Sequence, residues 1–270
     1  MEGEKEFLQN YNIEKYDRPS VTTDVAMLTV RARQTDNYRT DDRHSLSILL
    51  VRRGRHPYKG MWALPGGFLQ RGESVEDCAL RETVEETNVT PAALMPIGIF
   101  SDPGRDPRGW IISSAYVSVL GAEDIRQVGG DDAEDAKWFD ISFDEKENEE
   151  CELTLTNSDV VLHAQLHEKG SQFGRTDYDI KQSDLAFDHA KIIASAISAV
   201  RDQAKDANIV LDFLPEKFTL NEMQKVQEAI TNVAVLSPNF RRKISGLVVE
   251  TDEYRSGAGH RPAKLYRKKI

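Results

Sequence analysis

Three things are scarce in this chain of 270 residues. Only two cysteines are present, Cys78 and Cys151, far apart and in no partnering pattern. A disulfide framework is therefore excluded, and a reducing, cytoplasmic setting is expected. No apolar run approaches the roughly 20 residues that span a bilayer, and the opening MEGEKEFLQNY has no apolar signal core, so a soluble chain with no membrane partner is expected. Positive charge is also short, with 35 Lys+Arg against 45 Asp+Glu and a net charge of −10. A surface that coats nucleic acid along its whole length is excluded. The shortage is uneven, however: from Ala207 onward there are 11 Lys+Arg and 7 Asp+Glu, whereas the preceding residues hold 24 and 38. A basic end follows an acidic body.

The length and an apolar content of 39% suffice for one large domain or two. VAMLTVRAR and SLSILLVRR read as early strands of one sheet. HPYKGMWALPGGF, with Pro65, Gly66 and Gly67 in a row, has the composition of a shaped loop. A helix is expected after it over ESVEDCALRETVEETN, opened by Ser74 with Asp77 three residues later and stopped near Asn88. MPIGIF, WIISSAYVSVL and AKWFDI read as further strands, and strands around a helix suit an α/β layer. CELTLTNSDVVLHAQL suggests a hairpin around an NSD turn, followed by the polar loop HEKGSQFGRTDYDIKQSD. One long helix is expected from Ser183 or Asp184 through about 205, with the basic domain beginning near 207.

The expected first helix ends in Glu82, Glu85 and Glu86, with no lysine among them. Residues at i, i+3 and i+4 share a helix face, so the three carboxylates fall within an arc of about 100°. Like charges so placed cost the helix roughly 0.2–0.5 kcal/mol per pair. Arg81 alone is placed to relieve them. A hard divalent cation would do so better, since Mg²⁺ takes carboxylate oxygens and bridges to phosphate oxygens. A solvated acidic face is the alternative.

The residues around the cluster bear on that choice. Gly67, Glu73, Arg81-Glu82, Glu85-Glu86, Asn88 and Val89 resemble the Nudix box, with every charged position filled. Thr83 stands where an aliphatic residue is usual, and Asn88 where glycine is. The resemblance implies an α/β/α sandwich with a mixed sheet, and an Mg²⁺ (or Mn²⁺) site with Glu82, Glu85 and Glu86 as ligands. It also implies hydrolysis of a nucleoside diphosphate linked to another moiety. Arg81 would orient Glu73 or a ligand glutamate. Glu85, Asp131, Asp132 and Glu134 stay open as general base. The loop SDPGRDPRGW, with Pro103, resembles enzymes acting on ADP-ribose; Arg105 and Arg108 are candidates for its phosphates, beside Gly66 and Gly67, or else belong to a solvated loop.

In the basic end, FTLNEMQKVQEAI starts with a capping box, Thr219 to Glu222, and offers Leu220, Met223, Val226 and Ile230 for burial. LSPNFRRKI, with Ser237 as cap and Pro238 in its first turn, puts Phe240 and Ile244 on one face and Arg241, Arg242 and Lys243 elsewhere. Two strand-like runs follow, with His260, Arg261, Lys264, Arg267, Lys268 and Lys269 as a basic wing. Helix, helix and basic hairpin make a winged helix-turn-helix, with Arg241, Arg242, Lys243, Arg261 and Lys264 as candidate DNA contacts.

Across nearly the whole chain, YDRPSVTTD, YKGMWALPGGF, RDPRG, LAFDHAKII, FTLNEMQ, NFRRKI and HRPAKLYR resemble the Nudix-related transcriptional regulators of NAD metabolism. That resemblance implies a homodimer that senses ADP-ribose or a related metabolite and holds operator DNA. The organisation expected is a Nudix domain over 1–206, with a hairpin insertion at about 141–182 and a long helix at about 184–205, then a winged helix over 207–270. An ADP-ribose hydrolase with a regulatory tail is the main reading. A repressor with little turnover, and a Nudix hydrolase of other specificity, are the alternatives. His163, His167 and His189 show no metal-site spacing and are given no role.

Overall fold

The computed structural model describes residues 3–32, 44–121, 136–172, 175–256 and 262–269. Its centre is β1 (Ser20–Ala32), whose VAMLTV run is apolar in both alternations. Val25 and Met27 enter one core, Ala26, Leu28 and Val30 the other, and all five are buried. Such a run belongs in the middle of a sheet covered on both faces.

β1 pairs antiparallel with β2 (His44–Arg52), Leu28 opposite Ile48, and parallel with β6 (Ile111–Val119), Val25 opposite Tyr116. Short β3 (Trp62–Ala63) joins β2, and short β4 (Gly66–Phe68) joins β1. β5 (Met95–Phe100) lies beyond β6. On the other side follow β7 (Ala136–Glu145), β8 (Glu150–Thr156), β9 (Val161–Gln172) and β10 (Arg175–Ser183). The order is β10-β9-β8-β7-β2-β1-β6-β5, a mixed sheet. It curls until its two ends meet: Arg175 of β10 donates to the Ile99 carbonyl of β5 at 3.0 Å and lies over the Phe100 ring at 4.5 Å.

One face is covered by α2 (Val75–Thr87), whose Ala79 packs with Val25, Met27 and Leu49. The other is covered by α3 (His189–Ala204) and α4 (Leu220–Thr231). α2 has the expected reciprocal capping box of Ser74 and Asp77, and it stops at Asn88 in the left-handed region, φ 57°. Thr83 is buried, and its hydroxyl donates to the Ala79 carbonyl at 2.7 Å, which satisfies the polar group that replaces an aliphatic side chain. At the other extreme, α1 (Gly3–Asn10) buries none of its residues.

Two expectations give way. The hairpin at 151–166 is real, its turn held by Asn157 Oδ1 accepting from the backbone N–H groups of Asp159 and Val160. The polar stretch after it is not a loop: it completes β9 and forms β10, because alternate residues such as Leu166 and Tyr178 reach the core. The long helix also starts later than Ser183. Leu185 bridges to Trp62, Ala186 N–H donates to the Trp62 carbonyl at 2.9 Å, and Phe187 is left-handed at φ 52°. Helical hydrogen bonding begins only at Asp188. The side chain of Asp188 makes no capping bond, since Arg105 occupies it.

The basic end forms a winged helix of α4, α5 (Ser237–Ile244) and an antiparallel hairpin of β11 (Val248–Arg255) and β12 (Ala263–Lys268). α4 carries the expected capping box of Thr219 and Glu222, and Met223, Val226 and Ile230 are buried. α5 begins at Ser237 itself, so the N-cap position is Leu236, one residue before the expected cap. Phe218 and Tyr266 exchange backbone hydrogen bonds, at 3.0 and 2.8 Å, and tie the wing to the start of α4. The winged helix also packs on the sheet domain. Arg201 of α3 donates to the carbonyls of Ile230 (3.3 Å) and Phe143 (2.9 Å), and the Gln227 amide donates to the Ala204 carbonyl at 3.2 Å. A cavity of about 680 Å³ opens at this seam, lined in part by Tyr178, Arg201, Gln227 and Lys243. Among the described residues no helix is long and apolar enough to cross a membrane.

Hydrogen bonds from a charged donor contribute about 1.5–3 kcal/mol each, and Arg201 makes one across the seam, to Ile230, and one inside the sheet domain, to Phe143. Replacing Arg201 with Met, which removes both bonds, therefore lowers the unfolding free energy by about 3–6 kcal/mol in a urea titration. A loss below about 0.5 kcal/mol would show that Arg201 does not hold the two parts together.

Candidate active site

α2 lies beside β4, so its carboxylates stand against the Gly66-Gly67 backbone. A Cβ on Gly67 would come within 2.3–2.4 Å of the Glu82 carboxyl group, and one on Gly66 would come within 2.0 Å of the Thr23 carbonyl oxygen. Glycine is required at both positions for close approach. Glu82 and Glu86 share this wall, and the Gly66 N–H donates to Glu86 Oε2 at 3.0 Å.

Arg81 collects the acids around it. It donates to Glu73 from Nε (3.1 Å) and from one terminal nitrogen (2.8 Å), and from the other to Glu82 (2.7 Å) and Glu85 (3.3 Å). It also donates to the Phe68 carbonyl at 3.2 Å. Glu73 further accepts the Gln70 N–H at 2.6 Å. The Arg81 hydrogen bonds, followed by this backbone bond, hold the Glu73 carboxyl down to about 2. Arg81 thus clamps Glu73 and two of the three glutamates of the cluster.

The expected three-glutamate ligand set is not assembled. Among the described residues no three His, Cys, Asp or Glu side chains stand together as a metal cluster. The reason is local: Arg81 draws Glu82 and Glu85 toward itself, and Glu85 stays 59% exposed on the outer side. Glu86 is left apart. Burial pushes its carboxyl up to about 7, and repulsion from Glu82 and Asp24 adds to this against the Gly66 N–H bond. The charge of Arg53 acts against this rise without offsetting the burial, and Glu82 and Glu86 are oxygen donors of the kind that a hard divalent cation takes. These residues fit such an ion. Three of the four candidate general bases, Asp131, Asp132 and Glu134, lie outside the described residues.

Beside this wall is a cavity of about 160 Å³, lined among others by Asp24, Arg53, Phe68, Arg105, Arg108, Phe187 and His189. Its floor is a polar network. The Leu64 N–H donates to His189 Nδ1 at 2.8 Å, which puts the ring proton on Nε2, 3.4 Å from Asp24 Oδ1. Burial lowers the His189 pKa below the ordinary histidine range. Ser113 donates its hydroxyl to Asp24 Oδ2, and Arg105 approaches the same oxygen at 3.5 Å.

Arg105 and Arg108 both line the cavity, but each already has a carboxylate. Arg105 forms a bidentate pair with Asp188, at 2.6 and 2.9 Å, and both side chains are buried. Arg108 donates to Asp106 at 2.6–3.2 Å from its guanidinium and 2.9 Å from its backbone, and lies over Phe68 and Phe187. Asp24, Arg53, Phe187, Asp188 and His189 were not expected here. Four of the five lie in the quoted stretches YDRPSVTTD and LAFDHAKII, which were available as a signal; Arg53 has none. Both thiols are free and buried, with pKa values raised by burial, Cys151 to about 11.

In the winged helix, Arg241, Arg242 and Lys243 are exposed on α5, opposite buried Phe240 and Ile244. Lys264 is paired with Glu250 at 2.7 Å inside the wing, and Arg261 lies outside the described residues.

Residues 30–149 match the NUDIX domain model, and residues 210–268 match the NrtR DNA-binding winged helix domain. The ADPR responsive transcriptional repressor NtrR of Acinetobacter baylyi is 29% identical over 98% of this chain and 88% of its own length. A MutT/nudix family protein from Enterococcus faecalis, known from its crystal structure, is 32% identical over 99% of this chain and 94% of that one, with a TM-score of 0.71. The ADP-ribose pyrophosphatase of Methanocaldococcus jannaschii is 45% identical over 35% of this chain and 55% of that protein.

The Gly67 contact yields a test of the cation site. At about a hundred times its Kd, a cation that binds only the folded state stabilises it by roughly 2.7 kcal/mol. Mg²⁺ is expected to raise the melting temperature of the wild-type chain. In Gly67→Ala the fold is retained, because only the flexible end of Glu82 must move, and the Mg²⁺ response disappears. An equal rise in both proteins would remove Glu82 from the site.

Proposed function

The chain belongs to the Nudix family, and from that membership we propose that it hydrolyses the diphosphate of ADP-ribose or a related nucleoside diphosphate derivative. Its winged helix binds operator DNA in this reading. The observation that carries the hydrolase is the Glu82–Glu86 wall, with its charge-starved carboxyl, beside a cavity lined by arginines. Glu82 and Glu86 would hold the divalent metal, Mg²⁺ or Mn²⁺, and Arg81 would hold Glu82 and Glu73 in place. A bound metal there polarises the phosphate and lowers the pKa of a water. Arginine side chains on the opposite wall neutralise phosphate oxygens. The similarity to an ADP-ribose pyrophosphatase supports this substrate class.

A second reading has its own support. Arg81 keeps Glu82 and Glu85 engaged, and the relative similar over nearly the whole chain is named a repressor that responds to ADPR. In that reading the cleft senses ADP-ribose with little turnover, and output runs through the basic face of α5 in a homodimer. Both readings use one cleft and one DNA-reading element.

Release of AMP from ADP-ribose with Mg²⁺ separates them. In the hydrolase, Glu82→Gln and Glu86→Gln each lower the rate by at least about 100-fold, or roughly 2.7 kcal/mol of barrier. Wild-type binding without AMP release selects the sensor instead.

For the winged helix, each phosphate contact adds about 0.9 to the slope of log K against log salt. Replacing Arg241 and Arg242 with Ala weakens operator binding in a gel shift and flattens that slope by roughly 1–2. An unchanged slope would take α5 out of the interface.

A further inference from the structure

The cleft wall opposite the carboxylates carries an arrangement that neither the Nudix box nor the capping pattern accounts for. Arg53, just past the end of β2, has its guanidinium carbon 4.6 Å from the centroid of the Phe187 ring. The guanidinium carbon of Arg108 lies 5.2 Å from the centroid of the same ring and 4.8 Å from that of Phe68. Two like charges therefore share one aromatic ring at the mouth of the 160 Å³ cavity. Arg108 is answered by Asp106, whereas among the described residues no carboxylate lies within 4.0 Å of the Arg53 guanidinium, whose Nε donates to the Pro57 carbonyl at 2.9 Å. Burial, then repulsion from Arg108, lowers the Arg53 pKa. Glu86, Asp106 and Asp24 act the other way from a distance, and an anion between the two arginines relieves their mutual repulsion.

Phe187 is held for this task. Its φ of 52° is costly for a bulky residue, and such conformations persist only where neighbours enforce them. On one side Ala186 is bonded to the Trp62 carbonyl, and on the other Asp188 is locked to Arg105. The edge of Tyr58 closes on the ring at 4.8 Å. A guanidinium stacked on a ring keeps its N–H edge available for oxygen atoms in its own plane. Asp106 takes Nε and one terminal nitrogen of Arg108, and Pro57 takes Nε of Arg53, so the remaining terminal N–H groups of the two guanidiniums, fixed by one ring, are the ones left to seat phosphate oxygens.

We propose that Arg53 and Arg108, stacked on Phe187, seat the phosphate that is not attacked in a diphosphate flanked by two organic groups. Phe187 is the positioning residue and Arg53 the principal ligand-binding one. This rests on the reading of the cleft as a diphosphate site. It divides the cleft in two: the carboxylate wall serves the reacting phosphate, and the arginine wall serves the other. A monophosphate reaches only one wall, so it gains less from Arg53 than a diphosphate does.

The test is titration calorimetry on the full chain in EDTA, which suppresses turnover, with ADP-ribose, AMP and inorganic pyrophosphate as probes. Arg53→Gln is expected to weaken ADP-ribose and pyrophosphate by roughly 10- to 100-fold, the effect of a charge-assisted contact, and AMP by less than about threefold. Phe187→Leu weakens ADP-ribose several-fold, while Phe187→Tyr, which keeps the ring, restores it at an unchanged melting temperature; a purely structural role would not follow the ring. Arg52→Gln, at the exposed neighbouring arginine, leaves all three affinities unchanged. If the wild-type chain binds ADP-ribose and Arg53→Gln stays within about twofold, the seat is wrong and the cleft reading survives. If the wild type binds pyrophosphate through Arg53 but not ADP-ribose, Arg53 binds a bare diphosphate only, and both the seat for a flanked diphosphate and the ADP-ribose reading are overturned. Binding of neither ADP-ribose nor pyrophosphate by the wild type overturns both.

Discussion

The buried pair between Arg105 and Asp188 is the interaction on which the cleft depends. Two desolvated charges persist in a protein interior only when their geometry compensates for lost hydration, and here the fork of Arg105 meets both oxygens of Asp188. The pair joins the 101–110 loop to the first residues of α3. Lys191 adds a second tie, 2.7 Å from Asp102 and 3.1 Å from Asp177. The loop therefore belongs mechanically to a helix that starts more than 80 residues later. That helix brings His189 to the backbone of Leu64 and Phe187 to two arginines. Without the pair, the two halves of the cleft would have no common frame.

Crowding of like charge appears on both walls and is resolved differently on each. On α2, Arg81 takes Glu73, Glu82 and Glu85, which leaves Glu86 as the unrelieved carboxyl. Across the cleft, Asp106 takes Arg108, and Arg53 is left over. Glu86 and Arg53 act on each other across the cleft, and among the described residues neither has an opposite charge in contact. A metal ion with an attached diphosphate has the complementary pair.

Local signals were legible in the chain, and long-range ones were not. The capping boxes of α2 and α4 and the left-handed stop at Asn88 depend on residues three or four apart, and they formed where expected. An α/β layer and the winged helix are legible in runs of the same kind, whereas the mixed sheet is what the Nudix resemblance implies. β10 is hidden in the sequence by the polar run HEKGSQFGR before it, although Thr176, Tyr178 and Ile180 alternate with Asp177, Asp179 and Lys181. The start of α3 was missed because Ser183 and Asp184 resemble caps, whereas the bridge of Leu185 to Trp62 overrides that local preference. The crowding of the glutamates is visible on the helix face, but a one-dimensional helix face does not show that Glu73 folds back onto Arg81. Arg53 had no sequence signal, because its role arises from tertiary neighbours alone.

α3 can be considered as a rigid rod. Sixteen residues at 1.5 Å each make it about 24 Å long. Its N-terminal end is fastened to the cleft loop by Asp188 and Lys191, and its C-terminal end to the winged helix by Arg201 and the Ala204 carbonyl. A tilt of about 5° at one end displaces the other by roughly 2 Å over that length, comparable with the helix shifts that switch interfaces in other proteins. The two domains are therefore geared to one shaft, and neither end can turn without moving what the other end holds.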